Sequence, residues 1–337
     1  MRFSRRVVSV ALSLVFATWS STAISGMLEA NAALETSDFA TAYTEFNRLA
    51  VSGNTEAQYS MGQIYLNGWG RAKDFTEAQR WYRMAAEHGH ANAQFVMGVL
   101  YGTGSGVEQN AKMAEKWYRM AAAQGHVKAQ HGLGLMYDNG QGAPLDYAEA
   151  VKWYRLAATQ GYAKAQYNLG LKYSNGQGVA QDQKEAARWF RLAADQGNAK
   201  ALFSLGVQYD SGQGVAQNYE EAVKLFRMAS NLGLAQAQVY LGVKYDNGEG
   251  VAQDYKEAIK WYRLAAEQGN ATAQYNLGLM YDKGKGVLYD YRVAAKFFRM
   301  AADQGNLDAQ VYLGVKYNHG VRGEAVKEDE ENYGSLA

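Results

Sequence analysis

Residues 163–198 read AKAQYNLGLKYSNGQGVAQDQKEAARWFRLAADQGN, and the same text, lightly altered, returns at 199–234 and again at 235–270. Glycine marks the phase: it stands at 53, 89, 125, 161, 197, 233, 269 and 305, always 36 residues apart. A second glycine series runs from Gly62 to Gly314 and a tyrosine series from Tyr65 to Tyr317 with the same step and no insertion. A period of this length marks stacked helical hairpins, in which each unit buries its apolar face only against its neighbours.

Within a unit the first helix is expected over Thr55–Leu66 and its equivalents. Ala57, Met61 and Tyr65 stand at i, i+4 and i+8 and form the expected packing stripe. Gly62 lies beside it. A glycine inside a helix costs about 0.5–1 kcal/mol against alanine, so its return in every copy calls for a packing reason. Close approach of the second helix supplies one, and a bulky side chain at Gly206 should open that pair. The loop follows, as Gly176-Gln177-Gly178-Val179 or Gly212-Gln213-Gly214-Val215. Its glycines suit backbone positions that other residues occupy poorly, and the valine is expected to plug the hairpin end. No lysine-serine pair completes a nucleotide motif, so the loop is not read as a phosphate cradle.

The second helix starts at Asp74, Asn110, Asp146, Asp182, Asn218, Asp254 or Asp290, side chains that satisfy free N–H groups at a helix start. Glu77, Glu149, Glu185, Glu221 and Glu257 follow three residues later and complete the capping-box pattern, which removes them as catalytic candidates. Trp81, Trp117, Trp153, Trp189 and Trp261 recur among alanines, a large-beside-small pattern that lets neighbouring hairpins interlock. Glycine then ends the helix, as at Gly161. An arginine follows the aromatic pair in every copy, from Arg83 to Arg299. It is expected to link to a neighbouring carbonyl or carboxylate, its stem lying on the rings.

Outside the repeat, Arg2, Arg5 and Arg6 precede the apolar run Val7–Ala17, and small residues follow up to Ala23. That order is expected of a secretory signal peptide cleaved after Ala23, and the apolar run is shorter than the ~20 residues of a spanning helix. The 337 residues contain no cysteine, which excludes disulfide staples, a thiolate nucleophile and lipoprotein anchoring. Losing the three arginines of the leader takes the formal charge from +1 to −2, which argues against bulk affinity for nucleic acid. The expected organisation is a leader at 1–23, a capping hairpin at 24–54, seven repeats at 55–306, and a terminal helix with an acidic tail at 307–337.

The pattern Ala-x-Ala-Gln-x-x-Leu-Gly-x-x-Tyr, Gly-x-Gly-Val, Ala-x-x-Trp-(Tyr/Phe)-Arg-x-Ala-Ala-x-x-Gly resembles the Sel1-like repeat, a relative of the tetratricopeptide repeat. Ala165, Gln166, Leu169, Gly170, Tyr173, Gly176, Gly178, Val179, Ala186, Trp189, Arg191, Ala193, Ala194 and Gly197 carry it in one unit. The resemblance covers residues 27 to about 320. It implies an all-α fold, a right-handed alpha/alpha superhelical solenoid of 36-residue repeats, and an adaptor role. Exported bacterial relatives are associated with envelope assembly, motility, secretion and contact with host proteins. A cysteine-rich branch is linked to penicillin binding and beta-lactamase activity, and that hydrolase reading is the alternative; this chain lacks the paired cysteines.

Comparing the copies with one another locates a candidate surface. The position of Ser60 reads Val96, Gly132, Asn168, Ser204, Tyr240, Asn276 and Tyr312, and that of Ile64 reads Leu100, Met136, Lys172, Gln208, Lys244, Met280 and Lys316. These two positions are expected to line the concave face. The candidate protein-binding set is Asn168, Lys172, Tyr240, Lys244, Asn276, Met280, Tyr312 and Lys316, which offers stacking, hydrogen bonds and carboxylate pairing. Of the clustered histidines His88, His90, His126 and His131, His90 and His126 lie a whole repeat apart at matching turn positions and are expected to be surface turn residues. No catalytic residue, metal or cofactor is expected. The expected partner is a protein or peptide, with no nucleic acid and no membrane anchor after leader cleavage, in the periplasm or medium of a Gram-negative bacterium.

Overall fold

The computed structural model of the chain describes residues 22–318, and their side chains as far as 315. Among them there are helices and turns and no strand. Helix α1 covers 22–35 and α2 Phe39–Val51. The first helices of the repeats are α3 Thr55–Asn67, α5 Ala91–Thr103, α7 Val127–Asn139, α9 Ala163–Asn175, α11 Ala199–Ser211, α13 Ala235–Asn247 and α15 Ala271–Lys283. The second helices are α4 Phe75–Glu87, α6 Ala111–Ala123, α8 Tyr147–Thr159, α10 Gln183–Asp195, α12 Tyr219–Asn231, α14 Tyr255–Glu267 and α16 Tyr291–Asp303, and α17 Leu307–Asn318 follows. The expected leader lies outside the described residues except for Thr22 and Ala23, which fall in α1, and so does the acidic stretch 324–331. The chain divides into two compact units, one of residues up to 165 with 177–179, the other of 166–176 with 180 onward. Each is a run of α/α hairpins.

Each hairpin is closed by its own backbone. In the second unit Gly212, at φ +74°, lets α11 stop, its N–H still bonded to Gln208 O at 2.8 Å. Six residues on, Asn218 N–H returns to Tyr209 O at 2.9 Å, and the same clasp joins Asp74 to Tyr65, Asn110 to Tyr101, Asp146 to Tyr137, Asp182 to Tyr173, Asp254 to Tyr245 and Asp290 to Tyr281. This clasp corrects the capping box. The forward half forms, with Asp182 Oδ1 accepting from Lys184 and Glu185 N–H at 2.9 and 3.0 Å. The reverse half does not, because the cap N–H already belongs to the tyrosine carbonyl. The glutamates turn outward instead and meet the cation three residues on, Glu149 with Lys152 at 2.7 Å and Glu185 with Arg188 at 2.8 Å.

The helix-interior glycine does what its recurrence suggested. A Cβ on Gly206 would lie 2.7 Å from the Phe226 ring, well inside contact distance, and the equivalent ring faces Gly62, Gly98, Gly134, Gly170, Gly242 and Gly278. Gly98 meets Tyr118 while Gly102, one turn later, meets Ala114, the signature of an antiparallel pair. The second loop glycine serves a different contact. A Cβ on Gly214, at φ +76°, would stand 2.2 Å from Gln183 O, so the loop presses on the first turn of the preceding repeat's second helix. Tryptophan links second helices: Trp117 packs with Ala78, Tyr82 and Ala85, and Trp261 with Ala222, Val223 and Phe226.

The buried stripe of the first helices differs from the one expected. Ile64, Leu100, Met136, Lys172, Gln208, Lys244 and Met280 are all less than 9% exposed, whereas Tyr65 is only half-buried. At 3.6 residues per turn a step of seven returns to the starting face, so position 64 lies under position 57 and belongs to the core stripe. A step of eight overshoots it.

Candidate functional site

Most recurring polar side chains are engaged within the repeats. Arg83 donates to Tyr101 Oη at 3.1 Å, Arg119 to Tyr137 at 2.6 Å, Arg227 to Tyr245 at 2.5 Å and Arg263 to Tyr281 at 2.7 Å, and Arg191 does the same to Tyr209. Each bond runs from a second helix to the first helix of the following repeat. The expected carbonyl or carboxylate is thus replaced by a phenol on a rigid ring, and Arg119 also reaches a carboxylate, that of Glu115.

A glutamine rung lies deeper. Gln94 Nε2 donates to Ala86 O at 3.0 Å, and its Oε1 accepts from Gln124 Nε2 at 2.7 Å. The Gln–Gln bond recurs between 130 and 160, 166 and 196, 238 and 268, and 274 and 304, at 2.7–2.9 Å. The inner glutamines are buried, at 2–4% exposure, where an unmatched amide is costly. Two copies depart. Leucine fills both positions at 202 and 232, and His88 stands where Gln58 would find its donor, leaving Gln58 Oε1 without a partner among the described residues.

His90 and His126 are helix N-caps, His88 ends α4, and His131 lies inside α7. His90 Nδ1 accepts from Ala93 N–H and His126 Nδ1 from Ala129 N–H, both at 3.1 Å. The proton therefore sits on Nε2, which in His90 donates to Glu56 at 2.9 Å. His90 stacks on Tyr59 and His126 on Phe95, each at 4.7 Å. Burial holds the His126 imidazole below its ordinary pKa and pushes His131, packed against Tyr154 and Tyr162, down to about 4. Among the described residues no three His, Cys, Asp or Glu side chains converge as a metal site. No described helix is long and apolar enough to cross a membrane.

The candidate binding residues fall into two groups. Lys172, Lys244 and Met280 are 6, 4 and 1% exposed, so they lie in the chain's own packing and not on a contact surface. Lys244 is bound by Asp210 and, at 2.6 Å, by Glu249. Burial works against its charge, yet the hydrogen bonds it donates to both carboxylates, with their negative charge, outweigh it and hold the ammonium pKa above the ordinary lysine value. Glu249 is held low in return, chiefly by its hydrogen bond with Lys244. Asn168, Asn276 and Tyr312 are half-buried and Tyr240 is 36% exposed. Tyr240 stands edge-on to Phe203 at 5.0 Å, and Tyr312 packs on Phe298 at 4.4 Å and bonds Asp282 at 2.5 Å. Both tyrosines therefore pack on core rings while staying partly open to solvent. The Lys316 side chain lies outside the described residues.

The Sel1 repeat family profile matches seven consecutive segments, 55–90, 91–126, 127–162, 163–198, 199–234, 235–270 and 271–306. Among solved structures, a Sel1 repeat protein from Oxalobacter formigenes is 32% identical, with a TM-score of 0.67, over 88% of this chain and 89% of that one. A protective antigen present in uropathogenic Escherichia coli strains, which displays a Sel1-like repeat fold, is 38% identical with a TM-score of 0.77 over 83% of this chain. The match spans 60% of that antigen's length. No curated protein matches the chain.

Proposed function

The chain belongs to the Sel1 repeat family, a family of protein-interaction scaffolds, and from that premise we propose that it is an exported, non-catalytic adaptor that holds another protein against its first helices. The observation that carries this reading is where the copies differ. One part-exposed position runs through Val96, Gly132, Asn168, Ser204, Tyr240, Asn276 and Tyr312, while the residues on either side repeat to hold glycine, ring and glutamine contacts. Variety alone does not mark a surface, since buried position 64 varies as well; variety at a part-exposed position that no repeat contact requires is what a partner with its own sequence asks for. Tyr240 and Tyr312, with Asn168 and Asn276, offer ring edges and amides suited to a peptide or protein surface. Lys172, Lys244 and Met280 support that surface from beneath. Export rests on the arginine-led apolar segment before Ala23, which suits the periplasm or the medium.

A photo-crosslinking residue placed at 240 or 276 in cells tests the location of the contact. Adducts with one partner protein at these positions, and none at 96 or 132, are expected. Adducts confined to 96 and 132 would move the site, and absence of adducts at all four would remove it. Purified protein is expected to leave a chromogenic beta-lactam intact; turnover abolished by one substitution that leaves the fold unchanged would restore the hydrolase reading.

A further inference from the structure

The second helices of the second unit carry a pattern that the packing does not use. Leu192, Met228, Leu264 and Met300 are 47, 44, 38 and 38% exposed, one per repeat at 36-residue steps. Four residues before each stands a cation, Arg188, Lys224, Lys260 or Lys296, and one residue before stands an arginine of the phenol-bonded series. Positions i, i+3 and i+4 share a helix face, so each of these four helices presents one apolar side chain beside two cations. On α10 the pattern deepens into a cleft of about 510 Å³. Ala187, Leu192 and Val215 supply its apolar surface, Lys184, Arg188 and Arg191 its charge, and Asp195 its single acid.

Cations outnumber acids in α10, α14 and α16, while in α12 Glu220 and Glu221 match Lys224 and Arg227. Arg191, Arg227 and Arg263 bond neutral phenols. Arg188, Lys224 and Lys260 pair with Glu185, Glu221 and Glu257 in exposed i,i+3 contacts at 2.8, 3.5 and 3.1 Å that solvent and salt already compete for, and Lys260 also lies over the Trp261 ring at 5.3 Å. In α16 Val293 replaces that glutamate, so Lys296 has no acid three residues before it. A partner carboxylate can displace such contacts without leaving a buried charge behind.

We propose that the solvent face of α10, α12, α14 and α16 is a docking track for an extended acidic segment of a protein partner. Its carboxylates pair with Arg188, Lys224, Lys260 and Lys296, and its apolar side chains cover Leu192, Met228, Leu264 and Met300. The geometry sets a register. Second helices touch one another through tryptophan, as Trp261 on Ala222 and Phe226. An extended chain rises about 3.3 Å per residue, so a segment with one apolar residue in every three presents them about 10 Å apart, the spacing that the test peptides probe. This surface is separate from the first-helix positions of the proposed adaptor site, and it stands or falls independently of them.

The test uses fluorescence anisotropy of the full chain with three labelled twelve-residue peptides. One repeats Val-Glu-Glu, one Ser-Glu-Glu, and one has the Val-Glu-Glu composition with its valines clustered. The first is expected to bind at least tenfold more tightly than either of the others, with affinity falling as salt rises. The quadruple variant Arg188→Gln, Lys224→Gln, Lys260→Gln, Lys296→Gln should weaken it at least tenfold, and Leu192→Ser with Leu264→Ser should do likewise. All these substitutions are at exposed positions, and circular dichroism checks that they fold. Tyr240→Ala should leave the peptide affinity unchanged. Equal affinity for all three peptides, undiminished binding by either variant, or tighter binding to anionic vesicles or single-stranded DNA than to Val-Glu-Glu would overturn the proposal.

Discussion

The turn at Gln124-Gly125-His126 and the turn at Leu232-Gly233-Leu234 occupy the same phase of the repeat and are held in opposite ways. In the first, Gln124 completes the rung with Gln94 and His126 caps α7. In the second, Leu232 is 56% exposed, Leu202 is buried at the inner rung position, and Leu234 gives α13 no side-chain cap. The Lys244–Asp210 pair instead ties α13 to α11. Polar rungs are therefore dispensable to stacking, but they change as pairs. Gln58, facing His88, shows the cost of changing one side only: a buried amide oxygen without a donor.

Several substitutions would break or sharpen this contrast. Gly206→Leu, in the repeat with the apolar rung, should show that contact inside a hairpin outweighs either kind of junction. With Phe226 2.7 Å from the first added carbon, a loss of about 3 kcal/mol or more is expected in denaturant unfolding. Acid should separate the two turns next. His131 is neutral and fully stabilising above its unfolded pKa of about 6.5. As pH falls from there toward about 4, the unfolded chain takes up a proton that the native ring refuses. The loss approaches about 3 kcal/mol at the acid end, at about 1.4 kcal/mol per pKa unit. His126, shifted in the same direction, adds to it. Hydrogen exchange should report α7 opening before α13 below pH 6, and His131→Tyr should flatten the response.

The repeat's phase, its hairpins and its close-approach glycine were all legible, because a 36-residue period repeats each local signal eight times. What escaped has a physical reason. The sequence pattern puts position 64 on the surface when a step of four is followed to eight and not to seven, and in four copies a lysine or glutamine there hides its core character. Arginine's phenol partner lies 18 residues on and the glutamine pair 30 residues apart, so neither shows as a neighbouring motif. One signal for the rung was present: leucine replaces glutamine at 202 and at 232 in the same copy. The expected box of Asp182 with Glu185 was half right because sequence spacing does not reveal that Tyr173 O claims the cap N–H.

Smaller effects test the apolar turn. Leu202→Gln alone should cost about 1–3 kcal/mol by burying an amide with no donor opposite, and adding Leu232→Gln should recover most of it. Leu234→Asn should supply the missing cap to α13 and stabilise it by about 0.5–1 kcal/mol, read as slower amide exchange over Gln236–Gln238.

The claim that rungs act as units is tested most directly by a double-mutant cycle on Gln94 and Gln124, measured by denaturant unfolding. Gln124→Leu alone leaves Gln94 Oε1 buried without a donor and should cost about 1–3 kcal/mol. The double change Gln94→Leu, Gln124→Leu should be less damaging than that single change, with a coupling energy of at least about 1 kcal/mol. Single effects that simply add in the double variant would contradict the account.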